Sequence, residues 1–431
     1  MPFRSWPISL RRVTISALVF GLIERVGWAL VRQNGSATGE AFNVAVAVAK
    51  GRGFADAFAE GQGPTAHLLP IPPTVAGGVY ATFGIQSAVS ETILLALALG
   101  LVFGSYWLLA GFFLRLGAPL LSVVGGFVFL CVAPIYTGME VFDFRVWEGG
   151  MTMTAIAIFL RLLVSRRSSP IRRAMIAALP ALIFFLNPIC GIAACCVLLF
   201  YLWRRQTVDR SRALAVFAVS FLLLFGPWTV RNSAVMGHPI WLRDNLGLEL
   251  AVANHAGAVA PGDPKATFDA RLEQVHPFVS VAAYRALQHA GGEVAYARKI
   301  GDETSNWMKA HPGDVGRIWL RHLQEILLPP PWHFQTAHGV LLPIIRSVLI
   351  RTVHVLGLLG LILLWRRDRF ATSCLLPFVL LPILAYIPFQ PITRYTWLFY
   401  IPLAYSAGIT ADALLRRCVT RPNFSPSGIS A

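Results

Sequence analysis

The 431-residue chain is strongly apolar: 56% of its residues are hydrophobic, only 13% are charged, and its mean hydropathy is +0.61. These values exclude an ordinary soluble domain and indicate a polytopic membrane protein. The net charge is +16, but the arginines are scattered over short turns, which disfavours a nucleic-acid-binding protein. The six cysteines predict neither a disulfide nor a zinc site, because they lie in apolar spans or near the basic C-terminus and form no CxxC pattern.

A helix of about 20 apolar residues crosses a hydrocarbon core of about 30 Å. Apolar stretches predict membrane helices near residues 13–31, 91–114, 118–137, 149–165, 213–231, 346–365, 371–389 and 396–415. The stretch 174–203 is too short for two full crossings, yet arginines flank both of its ends, so we expect a short or tilted hairpin that turns at Asn187-Pro188. The sequence therefore predicts an all-α polytopic membrane protein with about ten transmembrane helices.

The distribution of arginines sets the expected orientation. They concentrate at the N-terminus, in alternate loops and at the C-terminus, and positively charged loops are typically cytoplasmic. We expect an N-terminal membrane half at 1–212, with catalytic exterior loops at 32–90 and 138–148 that include interfacial helices. The C-terminal half, 213–421, then includes an exterior helical segment at 232–341, with helices at 279–310 and 313–328. The tail 422–431 is predicted to be disordered.

Acidic and basic side chains are expected to meet on the exterior face. Counting crossings from a cytoplasmic N-terminus places there Glu40, then Glu140, Asp143 and Glu148, then Arg231-Asn232, and finally Arg394-Tyr395. A carboxylate can remove a proton from an attacking hydroxyl, and an arginine can bind a phosphate through two parallel hydrogen bonds. Simpler explanations are a helix-start acid, hydrated loop acids, interfacial arginine anchors and, for His67, an ordinary loop histidine. Glu24, inside the first span, needs a partner elsewhere in the bundle, because Arg25 is not expected to face it.

Four places in the chain carry a resemblance to a known family. In the first, Glu40 is followed by Gly51-Arg52-Gly53-Phe54, Gly63-Pro64-Thr65-Ala66, Pro72-Pro73 and Phe83-Gly84. The second is Trp147-Glu148, which opens the fourth span. The third contains Pro227-Trp228, Arg231-Asn232, Gly237, Asn245, Gly247 and Asn254, and the fourth is Arg394-Tyr395, which precedes the last span. With Gly292-Glu293, these places cover most of the chain. Their order resembles that in bacterial membrane glycosyltransferases of the C-type superfamily, the group related to protein O-mannosyltransferases and to the aminoarabinose transferase of lipid A.

The resemblance implies an inverting transfer from a polyprenyl-phosphate-linked sugar to a lipid, glycan or protein acceptor. It implies a catalytic carboxylate at Glu40 and a second acidic residue at Glu148 or Asp143. The expected location is a bacterial inner membrane, with the active site on the periplasmic side. No protein metal cluster is predicted, although a divalent cation between a carboxylate and the phosphate stays open.

The resemblance also places basic residues near the last spans against the donor phosphate. Arg394 with Tyr395 is the first choice for this contact, and Arg231 is the weaker one. The residues expected to bind substrate are His67, Asn232, Asn254 and Glu293. A lipid or solute transporter, such as a flippase, is the alternative from another class, because Glu24 within a span and the break at Asn187-Pro188 are also typical of transporters. A noncatalytic membrane scaffold is the third interpretation.

Overall fold

The computed structural model describes residues 3–31, 38–165, 169–205, 209–335 and 339–419. The predicted disordered tail, 422–431, lies outside these residues. Within them the regular secondary structure is helical, and an isolated bridge between Ala55 and Pro64 is the single β-type pairing. The all-α class predicted from the sequence is confirmed.

In chain order, the α-helices are α1 (Ile8–Val31), α2 (Glu40–Ala49), α3 (Ile71–Phe83), α4 (Ala88–Arg115), α5 (Leu120–Val132), α6 (Thr137–Val141), α7 (Gly149–Leu163), α8 (Pro170–Leu186), α9 (Pro188–Arg204), α10 (Arg210–Met236), α11 (Leu246–Ala253), α12 (Pro264–Val275), α13 (Val281–His289), α14 (Glu293–Ala310), α15 (Pro312–Leu327), α16 (Leu341–Arg367), α17 (Arg369–Ala385) and α18 (Thr393–Val419). Helices α1, α4, α5, α7 to α10 and α16 to α18 occupy the ten positions predicted for membrane spans.

Five helices in the described part of the chain, α1, α4, α10, α16 and α18, are long and apolar enough to cross a membrane. A sixth span forms if α5 and the segment Thr137–Arg145, which are bent by 75° at their junction, are taken together. Helices α7, α8, α9 and α17 contain 15, 17, 17 and 17 residues, so each reaches about 25 Å. They pack against the longer helices and against one another. The protein is therefore an integral membrane protein with spans of unequal length.

The turn between α8 and α9 lies where the sequence predicts it. Helix α8 ends at Leu186 and α9 begins at Pro188, a residue type that suits the first turn of a helix because it has no amide to leave unpaired. The Asn187 side chain caps α9 by accepting a hydrogen bond from the amide of Cys190 at 3.1 Å, an interaction worth about 1 kcal/mol. Its amide group also donates to the Tyr386 hydroxyl at 3.3 Å, which fixes the turn against the end of α17.

The helix predicted over 279–310 is two helices, and that prediction was wrong. Gly291 and Gly292 adopt φ of +90° and +112°, a region that side chains rarely allow, so the chain breaks between α13 and α14. Apolar residues recur every three or four positions on both sides of this break, so the sequence pattern did not indicate it. Helix α15 confirms the prediction for 313–328, whereas the short helices α11 and α12 were not predicted.

A buried ionic cluster links α1 with the helices around it. The guanidinium of Arg25 lies 3.0 Å from both Glu24 and Glu140. The expectation that Arg25 cannot face Glu24 is therefore wrong, because the long side chain folds back to its neighbour. Tyr106 and Trp397 donate to Glu140 at 2.6 and 3.0 Å. Since a buried charge without its partner is strongly destabilising, this cluster fixes α1, α4, α6 and α18 together.

Helix α18 lies at the centre of the bundle and packs against α5, α16 and α17. Its Trp397 and Tyr405 side chains are fully buried. Helix α16 approaches it closely: a Cβ atom at Gly360 would lie 2.0 Å from the carbonyl oxygen of Ser406, so that crossing requires glycine. The first turn of α18, which carries Arg394, is consequently held on a rigid element.

Candidate active site

A cavity of about 100 Å³ lies at the end of the bundle where α7 and α18 begin. Side chains from distant parts of the chain line it, among them Glu40, His67, Trp147, Arg243, Glu249, His276, Arg394 and Tyr395. A smaller cavity of about 10 Å³ is lined by Asp143, Glu148 and Asn187, and it shares Trp147, Arg394 and Tyr395 with the first. Both predicted acidic segments and the predicted last arginine therefore meet at one end of the bundle.

Glu40 is the first residue of α2, where its negative charge meets the positive end of the helix dipole. Its carboxylate is 16% exposed and lies 3.5 Å from Nε2 of His276. Nδ1 of His276 accepts a hydrogen bond from the amide of Phe278 at 3.3 Å, which assigns the ring proton to Nε2. His276 therefore directs an N–H group at the Glu40 carboxylate.

His67 is buried in the wall of the larger cavity. Its ring packs edge-on against Phe58, with ring centroids 4.7 Å apart, and lies 6.2 Å from the ring of His276. Burial lowers the pKa of His67 well below its usual range, and the positive charges of Arg243 and Arg394 act in the same direction. His67 is therefore a neutral imidazole, able to donate at one nitrogen and accept at the other.

Glu40, His67 and His276 are also arranged as metal ligands. Each offers one ligand atom, and these three atoms lie within 4.8 Å of one another. A carboxylate with two imidazoles is a donor set for Zn²⁺ or Mn²⁺ more than for Ca²⁺, which prefers oxygen ligands. Neutral His67 is already in the ligating form. His276 must move its ring proton from Nε2 to Nδ1, and it then loses the 3.3 Å hydrogen bond that Nδ1 accepts from the amide of Phe278. With that one adjustment, the residues fit a divalent cation.

Arg394 and Tyr395 are held by aromatic contacts. The Arg394 guanidinium lies over the Trp147 ring, 4.0 Å from its centroid. Tyr395 stacks on Tyr386 with ring centroids 3.9 Å apart and an angle of 9° between the rings. Because Arg394 borders both cavities, it places a fixed positive charge where an anion could contact it from either side.

Arg243 is a site residue that the sequence did not indicate. It follows α10, lines the larger cavity and lies 3.4 Å from a carboxylate oxygen of Glu148. Glu148 itself immediately precedes α7, as predicted. Asn245 donates to Glu249 at 3.1 Å, and both line the same cavity. A second arginine and a further carboxylate therefore join the predicted residues.

Asp143 opens onto the smaller cavity. Asp143 is an exposed residue overall, yet the surrounding protein atoms desolvate its carboxyl group. This partial burial raises the pKa of Asp143 to about 6, against the opposing effect of the Arg394 charge. Asp143 can consequently change its charge close to neutral pH, unlike an ordinary surface aspartate.

No protein-family model matches the chain, and no curated protein sequence matches it. Solved structures do. The oligosaccharyltransferase AglB of Archaeoglobus fulgidus, in complex with an inhibitory peptide and a dolichol-phosphate, matches 100% of this chain and 53% of its own, with a TM-score of 0.50 and 12% identity. The apo form of an A. fulgidus oligosaccharyltransferase matches 95% of this chain and 51% of its own, with a TM-score of 0.53 and 12% identity.

The chain has the C-type membrane glycosyltransferase fold. It spans about half the length of the oligosaccharyltransferase. ArnT of Cupriavidus metallidurans bound to undecaprenyl phosphate is also similar, over 91% of this chain and 78% of its own, with 15% identity and a TM-score of 0.35. That similarity is too low to carry an argument. The family resemblance seen in the sequence is confirmed at the level of the fold.

Within the C-type fold of this chain, two residues expected at the substrate do not line either cavity. The Arg231 guanidinium donates to the backbone carbonyls of Thr65, at 2.7 Å, and of Phe54, and also to the side chain of Asn232 at 2.8 Å. Asn232 is fully buried and donates to the carbonyl of Ile240 at 2.7 Å. Their polar atoms therefore hold loops together, and the structure does not bring them to the cavities.

Asn254 and Glu293 also have other partners. Asn254 is buried, donates to the carbonyl of Pro388 at 2.8 Å and accepts from the indole of Trp319 at 3.0 Å. It thereby ties the segment 232–341 to the loop before α18. Glu293 is buried behind the loop that leads to His67. Of the four predicted substrate-binding residues, His67 is the one that lines a cavity.

Proposed function

We propose that the protein transfers a sugar from a polyprenyl-phosphate-linked donor to an acceptor hydroxyl or amine. The observation that carries this proposal is that Glu40 and Arg394, from opposite ends of the sequence, line the same cavity. A proton acceptor and an anion-binding group at one site are what displacement of a phosphate by a hydroxyl requires. The C-type fold supports the proposal, as does the dolichol-phosphate in the AglB structure.

The proposed reaction is a single displacement at the anomeric carbon. Glu40 takes the proton of the acceptor hydroxyl while the acceptor oxygen forms a bond to that carbon. On the opposite side, the bond between the carbon and the phosphate oxygen breaks, and its electron pair leaves with the lipid phosphate. Attack opposite the leaving group inverts the anomeric centre. Proximity within one cavity accounts for much of the expected rate enhancement.

Arg394 and Arg243 stabilise the departing phosphate in this proposal. Arg243 has the phosphate-binding role that was expected of Arg231, because the Arg231 guanidinium donates to backbone carbonyls instead. Glu148 lies 3.4 Å from Arg243 and orients it. Asp143, on the smaller cavity, is the other candidate for the second acidic role. Planar guanidinium groups suit this contact because each can donate two parallel hydrogen bonds to a phosphate.

The proposal includes a divalent cation that Glu40, His67 and His276 would hold, with the ring proton of His276 moved from Nε2 to Nδ1. When bound, such an ion supplies positive charge that stabilises a developing oxyanion. The protein's own groups hold the ligands in place: α2 presents Glu40 at its first residue, and Phe58 packs against the ring of His67.

The site is proposed to face the periplasm of a bacterial inner membrane. Arginines gather at the opposite end of the bundle, in the last turn of α4, α7, α9, α16 and α18. Positive residues at helix ends mark the cytoplasmic side. The cavities lie at the other end, where a lipid-linked donor would meet an exterior acceptor.

The decisive experiment incubates membranes containing the protein with polyprenyl-phosphate sugars and follows the loss of donor. Glu40→Gln should lower transfer by about 100-fold or more, because the general base is lost. Glu60→Gln is the matched control, since that side chain is in the same loop and 66% exposed; it should leave transfer unchanged. Near-normal turnover by Glu40→Gln would exclude the base role. Movement of intact donor between leaflets by the wild type, with no sugar transferred, would favour the transporter interpretation instead.

A further inference from the structure

Two carboxyl groups lie together behind the larger cavity without lining it. Asp244 follows Arg243 in the segment between α10 and α11, and Glu293 is the first residue of α14. Their side chains lie close enough to interact, and both residues bond to Ala66, whose amide donates to Glu293 and whose carbonyl accepts from the amide of Asp244 at 3.3 Å. Glu293 is only 7% exposed, and the Oδ2 atom of Asp244 is fully buried. A hydrogen bond between two carboxyl groups requires a proton on one of them.

Glu293 has the environment of an ionised carboxylate. Its Oε2 atom accepts from the amide of Gln62 and from the hydroxyl of Thr65, both at 2.8 Å, and its Oε1 atom accepts from the backbone amide of Ala66. The N-terminus of α14 and the charge of Arg231 also favour a negative group there. Three donors converge on this carboxylate, which a protonated acid would satisfy less well.

Asp244 has the opposite environment. Its buried Oδ2 atom receives no hydrogen bond from a donor group of the described residues, and the charged group that faces it is Glu293. A second carboxylate at this place would add an unpaired like charge inside the protein. Burial, with the neighbouring Glu293, raises the pKa of Asp244 to about 9. A proton on Asp244 removes that like charge and gives its carboxyl group a donor towards Glu293.

We propose that Asp244 and Glu293 form a single-proton carboxyl clamp that positions two separate walls of the active site. Glu293 holds Gln62, Thr65 and Ala66, which lead directly to His67. Asp244 lies between Arg243 and Asn245, which line the cavity, and its backbone amide donates to the carbonyl of Ala66 at 3.3 Å. The clamp thus joins the loop that carries His67 to the loop that carries Arg243. Both members are positioning residues, and their role in transfer rests on the proposed function.

The test compares Asp244→Asn, Asp244→Ala and Glu293→Gln in the purified full-length protein. Asparagine retains a donor towards Glu293, so hydrogen–deuterium exchange in residues 62–67 should stay within about twofold of the wild type. Glutamine at position 293 places an NH₂ group against the donors of Gln62, Thr65 and Ala66, which can no longer all be accepted. Hydrogen–deuterium exchange in residues 62–67 should therefore rise about tenfold, and transfer should fall about tenfold. Asp244→Ala should also accelerate exchange, because it leaves the Glu293 charge without its proton donor. Asp269→Asn, an exposed aspartate on α12, is the control and should change nothing.

Infrared difference spectroscopy detects directly whether the pair Asp244 and Glu293 carries a proton. At neutral pH, the carbonyl stretch of a protonated carboxylic acid should be present in the wild type and in Asp269→Asn, and lost in Asp244→Asn. If Asp244→Asn retains that band, or accelerates exchange in 62–67 as much as Glu293→Gln does, the clamp is excluded. The infrared result, and the comparison of exchange between Asp244→Asn and the wild type, stay informative even where Glu293→Gln fails to fold. Wild-type protein that shows the band and slow exchange but transfers no sugar would contradict the proposed function while leaving the clamp intact.

Discussion

The carboxylate of Glu40 lies 3.5 Å from Nε2 of His276, which joins the first residue of α2 to the residue that follows α12. The imidazole N–H fixes the orientation of the carboxylate, and a base must be oriented to accept a proton from one particular acceptor atom. Glu40 is thus held by a residue from the segment 232–341, and this segment contributes to the lining of the larger cavity.

Replacement of His276 tests that contact. His276→Ala should lower transfer about tenfold, because Glu40 loses its hydrogen-bond donor while remaining able to accept a proton. The measurement is the rate of sugar transfer at saturating donor. His289→Ala, at an exposed position on α13, should have no effect. An unchanged rate in His276→Ala would show that Glu40 needs no such support.

Replacement of either arginine of the larger cavity should impair transfer, whereas replacement of an exposed arginine outside the cavity should not. Arg394→Ala and Arg243→Ala should each lower kcat/KM for the donor by about 100-fold, because a charge-assisted contact to phosphate is lost. The steady-state rate as a function of donor concentration measures this. Arg285→Ala, exposed on α13, serves as the control. An effect confined to KM for the acceptor would place the phosphate elsewhere.

The pH dependence of transfer should report Asp143. Its pKa is raised to about 6, so the side chain is ionised above that value and becomes neutral as the pH falls through it. If the ionised form supports transfer, kcat/KM should fall about tenfold for each pH unit below about pH 6. In Asp143→Asn, kcat/KM should be low and should no longer fall with pH below about pH 6. A wild-type profile that stays flat between pH 5 and 7 would remove Asp143 from the mechanism in favour of Glu148.

Metal binding can be measured apart from activity. Calorimetric titration of the chelator-treated protein with Zn²⁺ or Mn²⁺ should show one site, and His67→Ala or Glu40→Gln should weaken its affinity about tenfold or more. Glu60→Gln should bind as the wild type does. Equal affinity in all four proteins would indicate that the metal binds at another place.

The side of the membrane on which the site lies can be tested with one native cysteine and one introduced cysteine. Cys418 is exposed at the arginine-rich end of α18, whereas Glu60 lies at the cavity end. A membrane-impermeant maleimide added to intact cells should label Glu60→Cys and should leave Cys418 unlabelled until the membrane is opened. The reverse pattern would place the active site in the cytoplasm.

The sequence by itself determined the helical membrane class, the ten helix positions and the end of the bundle at which Glu40, Glu148 and Arg394 lie. These follow from hydropathy and from counting crossings, because crossing a lipid bilayer requires long apolar runs that can be read along the chain. The order of the motifs around these residues also indicated the C-type fold.

Only the tertiary structure decided which polar side chains enter the cavity. Arg231 and Arg243 are both arginines near the end of α10, yet one donates to the carbonyl of Thr65 and the other faces Glu148. His276 lies in a segment without membrane periodicity, so no pattern distinguished it from His289. Hydropathy indicates whether a position lies in an apolar environment or in water, whereas the role of a buried polar group depends on the partner that folding brings to it.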